Sequence, residues 1–121
     1  MKYTKEHEWL RVEGDLVVVG ITEHAATALG DVVFADLPAP GATLTQGQVA
    51  GVIESVKAAA DLFAPASGTV LATNPAVQDD PSLLNTDPLA AGWLFTMALG
   101  NAQELQALMD EARYQDFCAS A

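Results

Sequence analysis

The sequence predicts a mainly β domain, a compact sandwich or barrel, with one short internal helix and one C-terminal helix. Short apolar stretches rich in β-branched residues recur along the chain, and glycine or proline turn signals separate them. Half of the 121 residues are hydrophobic and 17% are charged, which is typical of a folded globular domain. The length suits one domain, and we expect residues 1–121 to form it.

Several segments have the length and composition of strands, and turn signals bound them. Gly14 and Gly68 mark tight turns, and Pro38 and Pro40 fix φ in a longer loop. The predicted strands are residues 8–12, 16–21, 32–37, 49–56, 61–64, 68–73 and 93–99.

Two helices are predicted from capping residues and apolar spacing. Thr22 can cap a short helix that ends at Gly30. Asn101 and Glu104 form a capping-box pattern, and the apolar residues that begin with Leu105 follow helical spacing. We therefore expect a C-terminal helix over about residues 101–113, with its apolar face docked on the sandwich.

The chain is strongly acidic, with sixteen acidic residues against five basic ones and a net charge of −11. Such a surface would repel a polyanion, so nucleic acid and anionic membranes are poor partners. Basic patches on larger proteins are better ones, because opposite charges steer association. No apolar run approaches the roughly 20 residues that span a bilayer, and the first residues lack the apolar core of a signal peptide. We therefore expect a cytoplasmic protein.

Few residues are available for thiol, metal or catalytic chemistry. Cys118 is the sole cysteine, which excludes a disulfide within the chain and favours a reducing compartment. With only His7 and His24 beside it, no metal site is predicted. No nucleophile elbow, phosphate-binding glycine loop or zinc motif occurs, so autonomous catalysis is not predicted. Glu6 and Glu8 flank His7, but a histidine between acids more often forms a solvated or capping cluster than a catalytic pair.

Lys57 is the only lysine or arginine between Arg11 and Arg113. Small residues surround it, and strand-like segments approach and leave it, which predicts a hairpin tip from which its amine projects. A lysine amine is a compact nucleophile on a flexible stem, so this position suits attachment of a prosthetic group by an acylating enzyme. A solvated surface lysine is the alternative that composition leaves open.

At the run Glu54-Ser55-Val56-Lys57-Ala58 the chain resembles a known family, the lipoyl-carrying H proteins of the glycine cleavage system. In that family this run surrounds the modified lysine. The resemblance covers almost the whole chain, and its other motifs lie at residues 7–9, 19–22, 29–34, 37–41, 64–70, 74, 84–88, 92–94 and 114–118.

The resemblance implies a lipoyl/biotinyl-type β-sandwich, a barrel-sandwich hybrid, with lipoic acid in amide linkage to Lys57. Glu54, Ser55, Val56 and Ala58 are implied as the residues that a lipoate-attaching enzyme recognises. The implied function is that of a non-catalytic carrier, which shuttles the aminomethyl group of glycine from glycine decarboxylase, a pyridoxal-phosphate enzyme, to aminomethyltransferase. Dihydrolipoamide dehydrogenase is the implied partner that reoxidises the lipoyl group.

The resemblance also implies a cleft that receives the lipoyl arm and shields its cargo from water. By position, Glu8 and Asp61 match acids associated with that cleft, where they can hydrogen-bond an ammonium group. Exposed or turn-capping carboxylates are the alternative for both residues. The chain departs from the family pattern at Leu89, where tyrosine is common, and near Ala72, where an acid is common.

Other roles for the same hairpin remain as alternatives. A biotin-type carrier is disfavoured, because Val56 and Ala58 stand where biotin carriers usually place methionines. An H-like protein could instead relay lipoyl groups to other enzymes, or Lys57 could stay unmodified in a binding domain.

Overall fold

The computed structural model describes residues 1–120, in which strands outnumber helices. The strands are β1 (Lys2–Tyr3), β2 (Glu8–Glu13), β3 (Leu16–Ile21), β4 (Val32–Asp36), β5 (Thr43–Leu44), β6 (Val49–Ser55), β7 (Ala59–Phe63), β8 (Gly68–Thr73) and β9 (Phe95–Leu99). The helices are α1 (Glu23–Leu29), α2 (Pro75–Asp79), α3 (Leu83–Thr86) and α4 (Glu111–Ser120), together with a 3-10 helix at Ala102–Ala107. None of these helices is long and apolar enough to cross a membrane.

Two antiparallel sheets form the body of the molecule. The larger has the strand order β1-β2-β3-β9-β8-β5, and the smaller has the order β4-β6-β7. Side chains from both sheets meet in one buried cluster, which includes Val19 and Phe95 of the larger sheet and Ile53 and Leu62 of the smaller. Apolar burial between two sheets is the main source of stability in a β-sandwich. The mainly β sandwich that the sequence predicts is confirmed.

Trp9 of β2 is a large buried side chain of the larger sheet. Its side chain is fully buried, and the indole Nε1 donates a hydrogen bond to the Pro88 carbonyl at 3.0 Å. Gly20 lies directly opposite on β3, where any side chain would overlap the indole. A large aromatic side chain therefore fills the space that the glycine leaves, and its polar atom still has a partner.

The internal helix α1 begins and ends where the sequence predicts. Thr22 caps it, because the Thr22 hydroxyl accepts a hydrogen bond from the Ala25 N–H at 3.2 Å. Gly30 ends it at a φ of 75°, which glycine adopts without strain. Ala26 is buried, and Ala25 and Leu29 pack against the core, so the helix covers one side of the sandwich.

The C-terminal helix is confirmed, but its predicted bounds of about 101–113 are wrong. The segment forms the 3-10 helix, an extended stretch and then α4, which begins at Glu111. Asn101 does cap the first turn, since its Oδ1 accepts from the Gln103 N–H at 3.1 Å. Glu104 does not complete the capping box, because its carboxylate accepts hydrogen bonds from both the N–H and the hydroxyl of Ser67 at 2.7 Å.

The extended stretch after the 3-10 helix also has a tertiary cause. Met109 pairs with Tyr3 through two backbone hydrogen bonds of 2.8 and 2.9 Å, and helical geometry would withdraw both groups. Leu105 and Leu108 are partly buried against the core. The expected docking of these leucines is therefore observed, although they lie outside α4.

The shortest elements contain too few residues for a sequence pattern to predict them. β1 and β5 have two residues each, which is too short for a period-2 pattern. The helix α2 begins at Pro75, and the Asn74 side chain caps it by accepting from the Ala76 N–H at 3.1 Å. Proline suits the first position of a helix, where its missing N–H is not needed.

Candidate functional site

Lys57 lies at the tip of the hairpin between β6 and β7. The register pairs Glu54 with Ala59, and Ser55 closes the turn through both its backbone and its side chain. The Ser55 N–H donates to the Ala58 carbonyl at 2.7 Å, and the Ser55 hydroxyl accepts from the N–H groups of Lys57 and Ala58 at 3.3 and 3.1 Å. A serine that satisfies successive turn amides keeps a short loop in one conformation.

The residues around Lys57 leave its amine accessible. Glu54, Lys57 and Ala58 are exposed, and Val56 is 70% exposed although it is hydrophobic. Within residues 1–120, the Lys57 amine forms no ion pair with a carboxylate. The amine is therefore free to approach another protein.

The stem of Lys57 lies against the end of α1. A Cβ atom built on Gly30 would be 3.2 Å from the Lys57 Cε and 3.7 Å from its Nζ. The hairpin tip is held to the same turn, because the Val56 N–H donates to the Asp31 carbonyl at 3.0 Å. The turn that follows α1 is thus the surface on which the Lys57 hairpin rests.

Asn85 holds that turn from the other side. Its Nδ2 donates to the Gly30 carbonyl at 2.7 Å, and its Oδ1 accepts from the Val32 N–H at 2.9 Å. These bonds join residues more than fifty positions apart, and they lie on both sides of Asp31. No local sequence pattern indicates which turn Asn85 holds, since its partners lie more than fifty positions away.

Glu8 is buried at the start of β2, with only 2% of its surface exposed. One carboxylate oxygen accepts from the Phe63 N–H at 2.7 Å, and the other accepts from the Thr4 hydroxyl at 3.1 Å. Burial raises the pKa of Glu8 to about 7, although both hydrogen bonds favour the ionised form. Glu8 is therefore a carboxyl group that gains or loses its proton near neutral pH.

The structure brings Glu8 and Asp61 to the same cavity. This cavity has a volume of about 220 Å³ and is enclosed mostly by apolar side chains of α1, β3, β6 and β7. Its lining residues are Glu6, His7, Glu8, Ile21, Ala25, Ala28, Leu29, Ile53, Ala60, Asp61 and Leu62. Leu29 lines this cavity and directly precedes Gly30, the residue against which the Lys57 stem lies. We refer to this cavity as the α1 cleft.

His7 contributes a further wall of the α1 cleft that the sequence analysis did not foresee. It has a φ of 64°, uncommon for a residue other than glycine, and its Nδ1 lies 2.7 Å from the Tyr114 hydroxyl. That hydroxyl is also 2.7 Å from the Thr22 hydroxyl, so α4, the residue before β2 and the cap of α1 meet at one point. Burial and the neighbouring His24 lower the pKa of His7, and Glu6 opposes them.

The arrangement suits an extended apolar chain that is attached at Lys57 and ends in a polar or cationic group. The exposed amine can form an amide, the apolar walls of the α1 cleft can pack against methylene groups, and two carboxyl groups can meet a cation. Within residues 1–120 no group of three or more histidine, cysteine or acidic side chains is placed to hold a metal ion.

Known proteins resemble this chain over its whole length. The family model described as glycine cleavage H-protein matches residues 1–121. A glycine cleavage system H protein of Beijerinckia indica is 53% identical over 116 residues, which are 96% of this chain and 94% of the relative. The protein of the same name from Thermotoga maritima is 50% identical over 118 residues, which are 98% of this chain and 95% of the relative.

A solved structure agrees with these sequence matches. The crystal structure of a glycine cleavage system H protein from Mycobacterium marinum superposes with a TM-score of 0.86 at 40% identity. The match covers 98% of this chain and 95% of that one. The chain belongs to the glycine cleavage H-protein family.

Proposed function

We propose that this chain is the lipoyl-bearing carrier of the glycine cleavage system, with lipoic acid in amide linkage to the Nζ of Lys57. The observation that carries the proposal is the position of Lys57, an accessible amine on a turn closed by Ser55, in a hairpin whose strands β6 and β7 also line the α1 cleft. When bound, the lipoyl group supplies a disulfide that is reduced as it takes up the aminomethyl group of glycine and is later reoxidised.

The hairpin tip has the features that an attaching enzyme needs. Ser55 fixes the turn, so Lys57 is presented in one orientation. Val56 and Ala58 flank the amine with small exposed side chains, and Glu54 adds a negative charge beside them. We propose that the lipoate-attaching enzyme recognises these four neighbours of Lys57, because they surround the amine that it must acylate.

Glu8 and Asp61 are proposed to hold the ammonium end of the aminomethyl cargo in the α1 cleft. Glu8 is buried and titrates near neutral pH, so an approaching cation would favour its ionised form and release its proton. Asp61 is exposed at the edge of the same cavity. The apolar walls keep water from the cargo, and the two carboxyl groups orient it.

The partners proposed for this carrier are glycine decarboxylase, aminomethyltransferase and dihydrolipoamide dehydrogenase. Membership of the H-protein family supports this assignment. The net charge of −11 suits recognition by basic surfaces on such enzymes. A tethered group also serves several active sites at an effective concentration set by its arm, so the carrier needs no catalytic residues of its own.

The test begins with intact mass after incubation with lipoate, ATP and a lipoate-attaching enzyme. A single lipoyl increment on the wild type, lost in Lys57→Arg and kept in the matched control Lys5→Arg, supports the proposal. The lipoylated protein should then accept label from glycine in the presence of the decarboxylase. An increment on another lysine, a biotin increment or no increment contradicts the proposal, and a lipoylated protein that accepts no label supports a lipoyl relay instead.

A further inference from the structure

The Lys57 hairpin is braced against the body of the protein instead of standing free. The Val56 N–H is bonded to the Asp31 carbonyl, and the Lys57 stem lies over Gly30. Both contacts fall on the three-residue turn from Gly30 to Val32. The conformation of this turn therefore determines where the hairpin tip sits.

The Asn85 side chain holds this turn at both ends. It donates to the Gly30 carbonyl at 2.7 Å and accepts from the Val32 N–H at 2.9 Å. A primary amide is suited to this task, because it presents a donor and an acceptor side by side on a short side chain. Alanine offers neither group, and aspartate would place a second acceptor against the Gly30 carbonyl.

Asn85 is itself held in place by α3. Its N–H donates to the Ser82 carbonyl at 2.9 Å, and the preceding Leu84 is fully buried in the core. The brace therefore runs from the core through Leu84 and Asn85 to the turn, and from the turn to Val56. Each step in this path is a hydrogen bond, a covalent link or a buried side chain.

We propose that Asn85 is the positioning residue for the Lys57 amine. It acts through the 30–32 turn, and it sets the direction in which the Lys57 stem leaves the hairpin tip and lies over Gly30. This inference rests on the proposed attachment of a lipoyl group to Lys57, and it adds a residue more than 25 positions away in sequence to the machinery that presents that lysine.

The first test measures the unmodified protein and is independent of lipoylation. In Asn85→Ala, we expect the backbone order parameters of Val56 and Lys57 to fall from the rigid range, about 0.85, to below about 0.6. Asn74→Ala is the matched control, because Asn74 also donates to backbone carbonyls, those of Ala91 and Trp93, and caps a helix. An equal change at the hairpin tip in both variants, or no change in Asn85→Ala, overturns the inference.

A conservative variant separates positioning from general stability. Asn85→Asp keeps the acceptor for the Val32 N–H, and its carboxyl can donate to the Gly30 carbonyl only when it is protonated. We expect the order parameters of Val56 and Lys57 in this variant to recover toward the wild-type values, measured at the same pH, as the pH falls below about 4. A merely structural role would give no such recovery.

The second test uses the lipoate-attaching enzyme with the chain as its substrate. If the productive orientation of Lys57 falls to about a tenth of the population in Asn85→Ala, KM rises about tenfold and kcat is unchanged. Folded Asn74→Ala should be lipoylated like the wild type. Equal KM values for wild type and Asn85→Ala refute the positioning role, whereas a wild type that is never lipoylated refutes the proposed function and leaves the order-parameter test standing.

Discussion

Replacing Glu8 by glutamine should stabilise the protein above neutral pH and leave it nearly unchanged in acid. Glu8 is buried, and its pKa rises from an ordinary 4.5 to about 7 in the folded protein. The folded state therefore binds this proton more tightly than the unfolded state. Its contribution to stability is fully present below pH 4.5 and is lost as the pH rises toward 7.

The size of the effect follows from the shift. A difference of about 2.5 pKa units between 4.5 and 7 corresponds to about 3 kcal/mol. Glutamine does not ionise between pH 4 and pH 8. Its amide can accept a hydrogen bond from the Phe63 N–H and donate one to the Thr4 hydroxyl, the two present partners of Glu8. The free energy of unfolding of Glu8→Gln minus that of wild type should therefore increase by about 3 kcal/mol between pH 4 and pH 8.

Urea unfolding of both proteins at the two pH values measures this difference. The pair at pH 4 is the internal control, because Glu8 is then protonated in the folded wild type and comparable with glutamine. Other acidic residues titrate in both proteins, so they cancel in the comparison. A difference that does not change with pH would show that Glu8 ionises in the folded state as readily as in the unfolded one, and that its hydrogen bonds offset its burial.

Three further outcomes are expected. Replacement of Glu8 or Asp61 by alanine should hasten spontaneous loss of the aminomethyl cargo about ten- to a hundredfold, since a hydrogen bond to a charged group contributes about 1.5–3 kcal/mol. Equal cargo lifetimes in wild type and variants would reject the cleft assignment. Association rates with the decarboxylase should fall steeply with added salt, because exposed charges are screened beyond about 8 Å at physiological ionic strength. An association rate that does not change with salt would show that the acidic surface serves only to keep the protein soluble. Leu84→Ala should lower the free energy of unfolding by about 2–5 kcal/mol because Leu84 is fully buried, and Leu105→Ala should lower it by less because Leu105 is only partly buried. Equal losses in urea unfolding would contradict this ordering.

Local signals predicted the elements whose causes are local. Thr22 and Gly30 define the limits of α1 because a cap and a positive φ act on adjacent residues. The turn of the Lys57 hairpin was predictable in the same way, since Ser55 closes it through bonds to Lys57 and Ala58. The position of the hairpin tip against the body depends instead on the distant Asp31. The roles of Lys57, Glu8 and Asp61 stay predictions, and the experiments above address them.

The features that the sequence analysis missed depend on residues far apart in the chain. Glu104 has the spacing of a capping box, but Ser67 offers its carboxylate two hydrogen-bond donors. Met109 follows a helical apolar pattern, but Tyr3 supplies a strand-like partner for its backbone. Asn85 gave no periodic signal at all, because both of its bonds to the 30–32 turn form only once the sandwich has assembled.

The contact between Tyr3 and Met109 makes the beginning and the end of the described chain depend on one another. Tyr3 also stacks on Tyr114 of α4, with ring centroids 4.5 Å apart, and Tyr114 reaches His7 across 107 positions in sequence. Proteolytic trimming of α4 would therefore remove a support of β1 and, at the same time, one of the groups that holds the His7 ring at the α1 cleft. A tag or fusion at the C-terminal side that displaces α4 would be felt in the cleft, even though no residue of α4 lines it.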